Sequence, residues 1–299
     1  MMEKVGVIGL GRIGSHIVKR LLKNDKEIIV YDMDPNKMTL LEHLGIKLAV
    51  SPGDVAANSS FIISCLNDAK TVEDLLIGNN GIIDTIKPRS VVVEMSTSAP
   101  ATTRKVAALL EKRGADIIDA PVSEVTTNGE VTLSFMIGGK EEVLERCRPI
   151  LSFLGTIIIH VGDLGCGHVV KALTLMMFGA NLVSAAEIVG LGEKSGLAKK
   201  TMLDVFNVSS GESFVTSSHY LKHIRQDTHE TNLAMGLMLQ NIILSSQIAH
   251  EMDVSALVAT RIEEIYAMAC YHGSVLEDSI NVISYIQGLM GLLSENIER

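Results

Sequence analysis

Two places in this 299-residue chain carry residue types and spacings that can do chemistry. The first is Gly9-Leu10-Gly11-Arg12-Ile13-Gly14, a GxGxxG run. The β-branched stretch VGVIG precedes it, the helix-like SHIVKRLLKN follows it, and Asp32 closes the next β-branched run. Strand, glycine turn, helix and a later acid together form a dinucleotide fingerprint. Gly9 makes the tight turn, Gly11 lets backbone approach a pyrophosphate, and Gly14 lets the helix pack closely on the strand. The helix N-terminus adds free N–H groups and partial positive charge. Asp32 is placed to accept hydrogen bonds from the ribose hydroxyls and to repel a 2′-phosphate. No arginine follows it, which favours NAD over NADP. The competing reading is an ordinary turn with a surface acid. The second place is Lys171, in GCGHVVKALTLMMFGANLVSAAEIVGLG (165–192), where the next formal charge is Glu187. An ammonium is costly to bury, so this lysine either has a task or snorkels to solvent from a helix end.

These groups need elements to hold them. Short β-branched runs (VGVIG at 5–9, EIIVYD at 27–32, FIISCL at 61–66, SVVVEM at 90–95, ADIIDAP at 115–121) alternate with helix-period stretches. That rhythm predicts an α/β fold with a parallel sheet covered on both faces. TLSFMIGG (132–139) and TIIIHVG (156–162) read as later strands around a helix over 140–153. Ser98 before Ala99-Pro100 reads as a helix start. Strand-like alternation stops at VGDLGCG. The chain is therefore expected to divide into a dinucleotide-binding domain over 1–163 and an all-helical domain over 164–299.

Composition narrows the partners. With 26 basic and 35 acidic residues the formal charge is −9, against nucleic acid as the main partner. The four cysteines show no CxxC pair or metal-ligand spacing, as expected of reduced thiols in a cytoplasmic protein, and MMEKVGVIGLG lacks the pattern of a signal peptide. The run 172–192 is long enough to span a membrane, but Asn181, Glu187 and two hydroxyl residues argue for a buried central helix instead. The apolar stretch 233–249 is expected to promote self-association. His219, His223 and His229 lack a carboxylate partner for a metal site and read as solvated; no metal is expected.

Taken in order, several motifs resemble the β-hydroxyacid dehydrogenase family, relatives of 3-hydroxyisobutyrate dehydrogenase and tartronate semialdehyde reductase. VGVIGLGRIGSHIVKRL resembles the family's nucleotide loop, with Ile13 where methionine is usual. ISCLND with VEDLLIGNNGII resembles the stretch approaching the nicotinamide, with Asn67 replacing the usual proline after Leu66. VEMSTSAPATTRKVAALLEKRGADIIDAPVS (92–123) is the longest match. GDLGCGHVVK (162–171) resembles the lead-in to the catalytic lysine, and SSGES with Phe214 the loop that closes the pocket. The resemblance implies a doubly wound Rossmann domain, a long interdomain helix and a helical domain that forms a homodimer or homotetramer. It implies oxidation of a β-hydroxy acid to its semialdehyde, or the reverse. Lys171 is then the proton donor or acceptor, giving a proton to the nascent alkoxide in a mostly dry cleft where burial lowers its pKa. Leu66, Asn67 and Ser96 join the loop 9–14 and Asp32 around NAD, and Ser96 and Ser123 position substrate. Ser96 also fits a helix cap, and His168 either tunes Lys171 or faces solvent.

Three departures complicate the match. Leu175 stands where the family has an asparagine one turn after its lysine, and Thr174 beside it offers only a hydroxyl. Ser123-Glu124-Val125 replaces Ser-Gly-Gly in the carboxylate cradle. Glu124 there would repel a small carboxylate, unless it points outward and another segment holds the acid. Gln240-Asn241 replaces a Lys-Asp pair, as if a hydrogen-bonded contact were kept without its charges. The leading expectation is an NAD-dependent dehydrogenase with an altered substrate. The alternatives are an imine reductase-like enzyme, which Glu124 would suit, and a non-catalytic NAD-binding regulator.

Overall fold

The structure is a computed structural model and describes residues 4–96, 98–127, 130–220, 231 and 233–292. Among the described residues nine strands form one sheet, ordered β3-β2-β1-β4-β5-β6-β8-β7, with β9 paired to β8. β1 (Val5–Ile8), β2 (Ile28–Tyr31), β3 (Lys47–Leu48), β4 (Phe61–Ser64), β5 (Val91–Glu94) and β6 (Asp116–Asp119) are parallel. The central strands are short runs buried on both faces, as a helix-covered parallel sheet requires. The helices that cover it include α1 (Arg12–Leu22), α2 (Pro35–Glu42), α3 (Pro52–Asn58), α4 (Ala69–Ile77) and α5 (Pro100–Glu111).

Beyond β6 the sheet turns antiparallel: β8 (Glu130–Gly138) pairs antiparallel with β6 and with β7 (Val122–Thr127). α6 (Glu141–Leu154) then leads to β9 (Gly155–Gly162), parallel to β8. Ser123-Glu124-Val125, where the resemblance places the carboxylate cradle, lies inside strand β7. The helix start read at Ser98-Ala99-Pro100 holds, since α5 opens at Pro100, but its N-cap is Ala99 and carries no side-chain bond. Pro100 opens that helix unaided, its fixed φ matching the first turn.

The chain divides into two compact units, Met1–Lys171 and Ala172–Arg299. The division falls inside the 29-residue helix α7 (Cys166–Lys194) rather than at 163. The composition change marks where strands stop, whereas the first turns of α7 still pack with the sheet. Among the described residues α7 alone is long and apolar enough to cross a membrane. It is not buried all round: Leu173, Met177, Ile188 and Leu191 are exposed. The helix Met235–Glu251 instead turns Met235, Met238 and Ile242 into the core of its own unit.

Candidate active site

The glycine loop is built as its spacing demands. β1 runs into Gly9 at φ +92°, and a Cβ there would lie 2.2 Å from the carbonyl oxygen of Cys65. A Cβ on Gly14 would sit 1.9 Å from the carbonyl oxygen of Gly9, so helix and turn touch backbone to backbone. Gly11, the N-cap of α1, is the opposite case: nothing lies within 4 Å of where its Cβ would be. That open face beside a helix N-terminus could hold a pyrophosphate. The side chains of Leu10 and Ile13 pack into the core, so these two residues can serve a cofactor only through their backbone. Leu66 is likewise buried, while Asn67 is exposed.

Asp32 closes β2 almost fully buried. Its Oδ2 accepts the Leu10 N–H at 2.6 Å and its Oδ1 the Asp34 N–H at 2.8 Å. The same carboxylate thus shapes the loop and retains lone pairs for ribose hydroxyls. Lys37 on α2 brings its ammonium to 3.5 Å from Oδ1, a cation beside Asp32 that the sequence directly after it does not reveal.

Lys171 stands in the second turn of α7 and donates to Ser123 Oγ at 3.0 Å. The residue is only partly buried, but its ammonium end is deep enough that burial pulls its pKa from 10.5 to about 8. The Glu124 carboxylate opposes that shift and the Arg12 guanidinium adds to it. Glu124 is itself ion-paired with Arg12, the first residue of α1. The expected repulsion of a substrate carboxylate by Glu124 therefore loses its basis. Arg12, Glu124 and a protonated Lys171 together carry one net positive charge. Val125, next along β7, is partly buried.

His168 lies one turn before Lys171 and, contrary to the solvent-facing option, is buried. Its Nε2 meets Glu94 Oε2 at 2.6 Å, and its backbone N–H donates to Asp119 Oδ2 at 3.0 Å. Burial alone would lower its pKa, but Glu94 and then Asp119 raise it overall. The charges acting on Lys171 are Glu124 and Arg12, not His168. Glu94 Oε1 also accepts the Ser96 N–H at 2.8 Å, and Ser96 Oγ accepts the Leu66 N–H at 2.8 Å. Ser96 therefore ties two strand ends together rather than capping a helix. Glu94 and Asp119 were missed from the sequence. Their signal was an acid closing each of the apolar strands VVVE and DIID.

Residues 4–162 match the family described as the NAD binding domain of 6-phosphogluconate dehydrogenase. Residues 165–286 match that described as NAD-binding of NADP-dependent 3-hydroxyisobutyrate dehydrogenase. The 2-(hydroxymethyl)glutarate dehydrogenase of Eubacterium barkeri is 32% identical over 97% of this chain and 96% of its own. The chain belongs to the β-hydroxyacid dehydrogenase family. A probable mitochondrial 3-hydroxyisobutyrate dehydrogenase of Dictyostelium discoideum is 35% identical over 72% of this chain and 67% of its own. The solved 3-hydroxyisobutyrate dehydrogenase of Mycobacterium tuberculosis, with L-serine, has the same fold, at TM-score 0.86 and 23% identity. That likeness covers 96% of this chain and 99% of the other. As a β-hydroxyacid dehydrogenase, this protein is an NAD(P)-dependent oxidoreductase acting on CH–OH groups.

The first unit of this dehydrogenase thus brings together Arg12, Ser123, Glu124 and Lys171. Ser96 and Val125 lie in the same unit, and the expected substrate residues Thr174, Leu175, Phe214 and Gln240 belong to the second. There Thr174 is exposed and Leu175 packs against the unit's apolar core. Phe214 is exposed, its ring edge-on to His219 at 5.0 Å between centroids. Gln240 is exposed, and Asn241 is buried with its Nδ2 donating to Leu237 O in its own helix at 2.8 Å. The contact expected of Gln240-Asn241 is therefore, at Asn241, an intrahelical bond. His219 sits between the rings of Phe178 and Phe214 rather than in solvent, and His223 and His229 lie outside the described residues.

Proposed function

We propose that this chain interconverts a small β-hydroxy acid and its carbonyl counterpart using NAD, with Lys171 transferring the proton and Ser123 holding the reacting oxygen beside it. A bound nicotinamide would supply the hydride in reduction and accept it in oxidation. The loop 9–14 and Asp32 would hold the dinucleotide. The observation that carries the reading is the Lys171–Ser123 contact at 3.0 Å, with the ammonium held at a pKa of about 8. A group of that pKa is an effective acid and base near neutral pH. In reduction the ammonium gives its proton to the forming alkoxide and becomes a neutral amine; in oxidation the amine takes the hydroxyl proton back. The net positive charge of Arg12, Glu124 and Lys171 suits an anionic substrate better than a cationic iminium. Asp32 supports NAD, and Lys37 softens its hostility to a 2′-phosphate.

The test is oxidation of NADH and NADPH against a panel of semialdehydes, including those of 3-hydroxyisobutyrate and 2-(hydroxymethyl)glutarate, with ketones and preformed cyclic imines alongside. The expected result is turnover of a carboxylated carbonyl that Lys171→Met lowers by about 10²–10⁴-fold. Imine reduction untouched by Lys171→Met would refute the mechanism. NADH binding without turnover of any compound would favour the regulatory alternative.

A further inference from the structure

Three titratable side chains behind Lys171 are buried to an unusual degree. Glu94 and Asp119 are 0% exposed and His168 is 2% exposed. All three are withdrawn from solvent. Removing two carboxylates and an imidazole from water is expensive, and replacing such a group by apolar side chains is often neutral or stabilising. Such burial is offset only by what these groups hold in place.

Their geometry shows what that is. Asp119, at the end of β6, accepts the N–H of Gly165 on Oδ1 at 2.7 Å and that of His168 on Oδ2 at 3.0 Å. It therefore takes two of the donors at the start of α7 that no carbonyl of that helix can satisfy. Glu94, at the end of the neighbouring β5, takes the His168 ring on one oxygen at 2.6 Å and the Ser96 N–H on the other at 2.8 Å. The first turn of α7 is thus pinned from two strands, one turn before Lys171. Through Ser96 the same carboxylate reaches Leu66 in the loop after β4.

We infer that His168 and Glu94, together with Asp119, are positioning residues: they fix the first turn of α7 on the ends of β5 and β6, and so set where Lys171 delivers its proton. This rests on the proposed role of Lys171. It predicts that loosening the pin moves the ammonium out of its seat without touching the dinucleotide loop. The charged or titratable groups facing His168 are Glu94, Asp119 and, through Glu94, the Cys65 thiol, whose pKa burial and Glu94 raise. Those facing Lys171 are Glu124 and Arg12.

The test reads Lys171 directly, by the ¹³Cε shift of labelled lysines as pH is varied, the signal being assigned with Lys171→Arg. It is paired with kcat on the substrate found above and with NADH affinity by fluorescence. His168→Leu is expected to move the Lys171 midpoint upward from about 8 toward 10.5. It should also lower kcat by about 10–100-fold and leave NADH affinity within about twofold of wild type. His168→Gln, which still offers an N–H to Glu94, should return the midpoint close to the wild-type value and most of kcat. A folded His168→Leu with wild-type midpoint and kcat overturns the inference, as does a His168→Gln no better than the leucine variant. Should His168→Leu fold poorly, the double variant Glu94→Leu/His168→Leu leaves no unpaired charge from the pair. It is expected to fold and still lose kcat; wild-type kcat in it overturns the inference. If Lys171→Met retains turnover, the proposed reaction fails, while the Lys171 midpoint, read without substrate, still decides the positioning.

Discussion

Gly167 offers a sharp mechanical test of the site. A Cβ built on it would lie 2.4 Å from the carbonyl oxygen of Met136 in β8, 2.6 Å from Asp119 Oδ2 and 3.1 Å from Pro121 Cδ. Real Cβ contacts do not fall below 3.0 Å, so Gly167→Ala forces a displacement of about 0.6 Å (3.0 less 2.4) against strand backbone that cannot swing aside. The start of α7 has to lift, and Lys171 is carried with it. A misplacement of about 1 Å costs on the order of 10²-fold in rate, so kcat should fall by about 10–100-fold. Overpacking of this kind destabilises by about 1–3 kcal/mol, which lowers Tm by only several degrees and leaves the enzyme folded at assay temperature. Gly11→Ala is the contrasting variant, because its Cβ meets nothing within 4 Å. It should leave Tm and kcat at saturating NADH unchanged while weakening NADH binding, since the methyl occupies the pyrophosphate's approach. Steady-state NADH oxidation, NADH fluorescence titration and a thermal melt on both variants separate the two effects. Wild-type kcat in Gly167→Ala, or wild-type NADH affinity in Gly11→Ala, would refute the reasoning.

The pH profile of kcat should show a limb near the Lys171 pKa of about 8: reduction falls as pH rises through it, because the ammonium is consumed, and oxidation rises. Glu124→Gln removes a charge that raises this pKa, so the limb should move to lower pH; Arg12→Gln should move it the other way. For His168 the folded-state pKa is raised above 6.5. Its pairing with Glu94 therefore stabilises the fold fully below pH 6.5 and loses that contribution as pH rises through the folded value. The Tm difference between wild type and His168→Gln should shrink over that rise; a difference growing with pH would reverse the assignment. Asp32→Asn should shift the ratio of NADH to NADPH affinity toward NADPH and, by weakening the Leu10 N–H contact at 2.6 Å, lower Tm modestly. Lys37→Ala should weaken NADPH more than NADH.

What the sequence made legible was the part where chemistry is local. Gly9, Gly11 and Gly14 could be assigned because each backbone demand falls within one turn of chain, and the alternation of runs such as FIIS and VVVE fixed the parallel sheet. Lys171 could be singled out because it is a charge in an apolar run. What could not be read depends on residues brought together from far apart. Arg12 and Glu124 are separated by 112 positions, and Glu94 and His168 by 74. No periodicity links them. Glu124 read alone looked hostile to a carboxylate; with Arg12 against it, its charge is already met. His168 read alone had two options, and the buried acid at the end of β5 removed one of them.

The same pairings bear on the proton transfer proposed for Lys171. Glu124 brings a carboxylate to bear on Lys171. Unpaired, it would hold the lysine protonated and weaken it as a base. Arg12 takes that carboxylate and adds its own charge, which lowers the lysine's pKa. The two opposing influences leave burial as the largest cause of the shift to about 8. Glu124 and the arginine in the nucleotide loop thus act as one unit. Arg12→Gln/Glu124→Gln should therefore restore a limb nearer to wild type than either single change. A double variant whose limb lies outside the range of the two singles would show that the pair does not act by charge balance.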